Sequence, residues 1–84
     1  MIKKGRHEIT LDQPATYQIK VPGALDKHWS DWNNEITIRV ENDSEGLSVT
    51  TLTGPLDQAS LQGLMRRLYS LGLPLISVIC VDFD

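Results

Sequence analysis

The sequence predicts a single α+β domain in which two helices lie on one face of an antiparallel sheet. Three observations lead there. Apolar and polar residues alternate in separate stretches at 16–21 and 35–41, the period of strands with one face buried. Two other stretches repeat their apolar residues at helical spacing. A chain of 84 residues has room for one core and no second.

The first strand is expected over Thr16 to Val21, where Tyr17, Ile19 and Val21 alternate with Gln18 and Lys20, and Pro22-Gly23 breaks it. Leu25, Trp29 and Trp32 then fall at i, i+4 and i+7, one face of a short helix that Asn33-Asn34 ends. From Glu35 to Glu41, Ile36, Ile38 and Val40 point inward and Thr37, Arg39 and Glu41 outward. The polar, Gly46-ended turn that follows leads into Leu47 to Leu52, so the pair reads as a β-hairpin. Its second strand shifts phase between Val49 and Leu52, which suggests a bulge at Thr50-Thr51.

Gly54-Pro55 is expected to open the longer helix, because proline suits a first helical turn, and Leu61, Leu64, Met65, Leu68 and Leu71 form its apolar stripe. Gly72 closes it as a C-terminal cap glycine would. Gly63 inside the helix costs roughly 1 kcal/mol relative to alanine, which points to a close approach there. The last strand, Leu75 to Val81, is β-branched and apolar on both faces, so both faces are expected to be covered.

Strand, short helix, strand, strand, long helix, strand is the order of a ferredoxin-like β-α-β-β-α-β sandwich over residues 14–84, with both helices on one side of the sheet. Residues 1–13 are left over. Within them His7, Ile9 and Leu11 alternate with polar residues, so this arm either turns back at Asp12-Gln13-Pro14 as an extra edge strand or stays outside the domain.

Two segments, Leu25-Asp26 with Trp29 and Asp31-Trp32, and Leu52-Thr53-Gly54-Pro55 continuing through Asp57-Gln58-Ala59, Leu61, Gly63-Leu64, Leu68 and Leu71-Gly72-Leu73 to Ser77-Val78, carry a resemblance. The chain resembles a group of small, mostly bacterial proteins without assigned function, over about residues 14–78. The element order is also similar to that of ACT-type regulatory modules, which bind small molecules at domain interfaces. That likeness implies a ligand contact at Pro22, Gly23, Ala24 and Asp26, after the first strand; it is an analogy of fold alone.

Composition narrows the function classes. A net charge of −3, with the one basic cluster at Lys3-Lys4-Arg6 in the arm, argues against nucleic-acid binding. The longest mainly apolar run, Leu71 to Val81, is far short of the about 20 residues that span a bilayer, and the basic start has no apolar stretch behind it. A lone cysteine, Cys80, cannot form an internal disulfide, so a reducing, cytoplasmic setting is expected.

No cofactor or metal motif stands out. Glu41, Asp43, Glu45 and Gly46 match the start of a calcium loop, but Leu52 stands where its bidentate glutamate belongs and strands flank it. Two distant histidines and one cysteine do not make a zinc site, and Cys80 between Ile79 and Val81 reads as a small buried hydrophobe rather than a nucleophile. Asp26, His28 and Asp31 form the one polar cluster an enzyme could use. Arg66-Arg67 could receive an anion, yet a solvated helix face contains the same residues.

The loop after the first strand lacks the arginine of an acylphosphatase cradle and the paired cysteines of a metallochaperone. The outward strand positions Gln18, Lys20, Thr37, Arg39 and Glu41 lack the aromatics of an RNA-recognition sheet. Trp29 and Trp32 either seal one end of the core or anchor a partner; in a chain with five aromatics, core packing is the stronger reading. A non-enzymatic interaction or regulatory module acting as a homodimer is the expectation, with an ACT-like small-molecule sensor and an enzyme with an unrecognised site as the alternatives.

Overall fold

The computed structural model describes residues 9–25 and 35–81. The expected short helix, with Asp26, Trp29 and Trp32, lies outside the described residues, as do His7 and His28. Four strands and one helix follow in the order β1 (Ala15–Pro22), β2 (Thr37–Asn42), β3 (Ser48–Leu56), α1 (Gln58–Ser70) and β4 (Ser77–Cys80). The strands form one sheet in the order β2-β3-β1-β4, every neighbouring pair antiparallel. The protein is thus an α+β fold with one four-stranded antiparallel sheet and, among the described residues, one helix.

One face of the sheet meets α1. Ala15, Tyr17, Ile19 and Val21 of β1 and Leu52 and Leu56 of β3 pack with Ile36 and with Leu61, Leu64 and Leu68 of α1 as one buried cluster. The alternation in β1 is the cause: each inward residue is buried and each residue between is half-exposed. Tyr17 keeps its hydroxyl satisfied inside this cluster by accepting a hydrogen bond of 2.7 Å from the Gln58 side chain.

Three expectations need correction. The bulge at Thr50-Thr51 is not there: β3 runs in unbroken register against β1, from Ala15↔Leu56 to Pro22↔Val49, and against β2. The inward position that breaks the apolar phase belongs to Thr50, which is fully buried. Its hydroxyl donates to the Gly23 carbonyl at 2.6 Å and accepts from the Leu25 N–H at 3.0 Å, so a polar residue fits a core position.

The helix does not open at Gly54-Pro55. These residues extend β3, and Asp57 is the N-cap, its carboxylate accepting from the Ser60 N–H at 2.8 Å. Pro55 is tolerated because β2 ends its pairing at Thr37↔Thr53, so the strand there has lost one neighbour. Gly54 is small for a reason: a Cβ on it would stand 2.8 Å from the Glu35 carbonyl oxygen and 3.1 Å from the Ile36 Cα. At the other end Gly72 adopts φ +78°, its N–H donates to Tyr69 and the Leu73 N–H donates to Leu68, which caps the helix as its position in the sequence suggests. Leu71 is the exposed C-cap rather than part of the buried stripe.

The third correction concerns β4. Both of its faces were expected to be covered, yet Val78 and Ile79 are 38% and 48% exposed. The strand sits at one edge of the sheet; Cys80 packs against the core cluster, but Val78 on the same face and Ile79 on the other have no described element over them.

The expected hairpin joins β2 to β3, held by the Asp43 carboxylate, which accepts from the N–H groups of Glu45 and Leu47, each at 2.9 Å. Residues 9–14 add no strand; the Leu11 carbonyl accepts from the Gln58 N–H at the start of α1.

Candidate functional site

The sheet has a second face, turned away from α1, and its chemistry follows from register. Lys20 pairs with Thr51 on one side and Ser77 on the other, and Thr51 pairs in turn with Arg39. Partners directly opposite one another share a face, so Ser77, Lys20, Thr51 and Arg39 form one row across all four strands. The neighbouring row is Ile79, Gln18, Thr53 and Thr37. The residues read as outward in the sequence, Gln18, Lys20, Thr37, Arg39 and Glu41, do share this face. Thr51, Thr53 and Ser77 join them only once the register is known.

Together Gln18, Lys20, Thr37, Arg39, Glu41, Thr51 and Thr53 line an open depression of about 320 Å³. Its lining is hydroxyl, amide and charge. The Arg39 guanidinium stands 3.9 Å from the Glu41 carboxylate, an exposed pair that orients the arginine more than it stabilises the fold.

A second surface lies along β4. Leu75, Ile76, Val78, Ile79 and Val81 are all exposed, and residues 73–81 carry no charge. The Val81 N–H donates to the Thr16 carbonyl, so the alternation of an antiparallel ladder turns the N–H of Val78 toward the outer edge. β2, the other edge strand, differs: it carries Arg39 and Glu41, the kind of charged edge that discourages strand addition.

The loop after β1 is tied down from within. The Gly23 N–H donates to the Ser48 carbonyl at 2.8 Å, and Thr50 engages both the Gly23 carbonyl and the Leu25 N–H. Pro22 is half-buried and Gly23 and Ala24 are exposed, while their proposed companion Asp26 is outside the described residues. Three backbone groups that could have met a ligand at Gly23 and Leu25 are already committed.

Arg66 lies on α1 beside Leu11, Gln58, Ala59 and Gln62, away from the open sheet face. Cys80 is half-buried on β4, opposite Tyr17. Among the described residues no three of the His, Cys, Asp and Glu side chains come together as a metal site would require, and no helix is long and apolar enough to cross a membrane.

No curated protein and no solved structure matches the chain. One family does, and its match begins in β1, spans the hairpin and α1, and ends in β4. Through residues 16–79 the chain belongs to the family described as Domain of unknown function (DUF8691).

Proposed function

We propose that the protein is a non-enzymatic interaction module that pairs with a second copy of itself along β4. The observation that carries this reading is an edge strand that is apolar, uncharged and exposed on both faces. An isologous contact buries the same patch of both copies, so any charge in the patch is taken out of water twice. Residues 73–81 bring none. Antiparallel pairing of two β4 strands would join the sheets into one and cover the exposed apolar side chains, which β2 with its charges could not do as well.

The sheet order β2-β3-β1-β4 is the one a β-α-β-β-α-β chain produces when both crossovers lie on one side, and it supports the ferredoxin-like reading with a helix in the first crossover. An ACT-like sensor shares that order. It is the weaker reading, because the backbone at Gly23 and Leu25 is engaged by Ser48 and Thr50.

Light scattering on a size-exclusion column across a concentration series tests the pairing. A mass twice that of the chain is expected for the native protein. Val78→Pro removes a donor that faces away from β1 and should return the protein to a monomer with its circular dichroism intact. A native protein that stays monomeric at tens of micromolar would sink the proposal.

A further inference from the structure

The open sheet face carries a feature that pairing along β4 does not use. We infer that it binds a small anion, a carboxylate or a phosphate ester, between Lys20 and Arg39 above Thr51.

Neighbouring strands lie about 4.8 Å apart, so two strand spacings separate Lys20 from Arg39, roughly 10 Å at the backbone. Two long cationic side chains reaching inward across that gap can meet on one anionic group. Thr51 stands between them and is 7% exposed, although no described element lies over this face. The side chains placed to cover it are those of its own row and its own strand: Lys20, Arg39, Val49 and Thr53. Lys20 and Arg39 thus stand on either side of this hydroxyl and line one open depression with it, the Arg39 side chain 73% exposed and free to turn toward a ligand.

The depression fits that class of ligand. Its volume of about 320 Å³ is at the small end of ligand sites, and no apolar side chain lines it, so an apolar molecule would gain little there. Lys20 and Arg39 against Glu41 leave one net positive charge, on a chain whose total is −3. Glu41 stands 3.9 Å from Arg39 and also shares a shallow pocket with Lys20 and Asp43, so the ligand is placed over Thr51, between the two cations. On the Lys20 side the row ends in Ser77, which lies outside the lining of the depression and whose buried hydroxyl oxygen has no hydrogen-bond partner among the described residues. A buried hydroxyl without a partner is costly, and this one is the cross-strand neighbour of Lys20, where a small shift of the edge strand would open it toward the bound anion.

Amide chemical shifts of the isotopically labelled full chain, titrated with inorganic phosphate and separately with malonate at constant ionic strength, test the site. Saturable shifts are expected at Lys20, Arg39, Thr51 and Ser77, with at most linear drift at Arg66 and Arg67. Saturation by phosphate alone assigns phosphate esters; saturation by malonate alone assigns carboxylates. Lys20→Gln is expected to weaken binding roughly tenfold, the usual scale for losing one charge-assisted hydrogen bond. Thr51→Val, which keeps the β-branched shape, should weaken it several-fold. Repeating the titration on Val78→Pro separates this site from the β4 contact. Linear shifts with both anions, equal response at Arg66, or unchanged affinity in Lys20→Gln and Thr51→Val would overturn the inference.

Discussion

Gly54 shows how one atom can decide a register. Its inward position on β3 faces the chain at Glu35 and Ile36, and the Cβ of any other residue would meet backbone there, which cannot swing aside as a side chain can. Gly54→Ala is expected to cost about 1–3 kcal/mol, the range for overpacking a filled core, measured by urea unfolding with an unchanged m-value. The sequence offers Gly54-Pro55 as a helix start, and that reading fails for the same reason: the glycine serves a contact with residues far behind it. Thr50 was illegible in a similar way. A threonine at an inward position looks like a break in phase until its two partners, 27 and 25 residues away, are known. Local pattern registers polarity, whereas burial depends on whether the polar atoms are satisfied.

At the scale of elements, α1 was readable where the signals are local. The stripe of Leu61, Leu64 and Leu68 and the stop at Gly72 depend only on helical geometry. Its start is harder to read, because Pro55 suits a first helical turn as well as a strand end, while the cap is Asp57, a common capping residue directly before the helix. The Ser60 N–H, and then its hydroxyl, hold the Asp57 carboxyl below the usual aspartate range. Since the folded chain resists protonation at Asp57 more than the unfolded chain does, the stability this cap adds is fully present above about pH 4, the unfolded value. It is lost as the pH falls through the lower folded value. Asp57→Asn, which keeps an acceptor without a charge, should therefore flatten the acid limb of a plot of unfolding free energy against pH, while Asp57→Ala lowers stability at neutral pH as well. A native protein and an Asn variant with superimposable acid limbs would show that the charge on this cap plays no part. β4 was legible as a strand but not in its exposure, because an apolar run looks the same whether a helix or a second protein covers it.

For the whole molecule, the order of the four strands and α1 is open to sequence reading, but the row formed by Ser77, Lys20, Thr51 and Arg39 is not, since residues so far apart in the chain meet only through register. Both proposed surfaces depend on that sheet, and they make different demands on stability. An anion bound on the open face would raise the melting temperature with ligand concentration and leave it indifferent to protein concentration. Pairing along β4 couples folding to association, so by mass action the melting temperature should rise with the concentration of the protein itself. A domain this small gives a sensitive readout, because 1 kcal/mol at the midpoint moves the melting temperature by about 4–8 °C. Differential scanning calorimetry over a hundredfold range of protein concentration should show an upward drift for the native chain and none for Val78→Pro. Drift that persists in the proline variant would move the contact away from the β4 edge, to a surface where the N–H of Val78 takes no part.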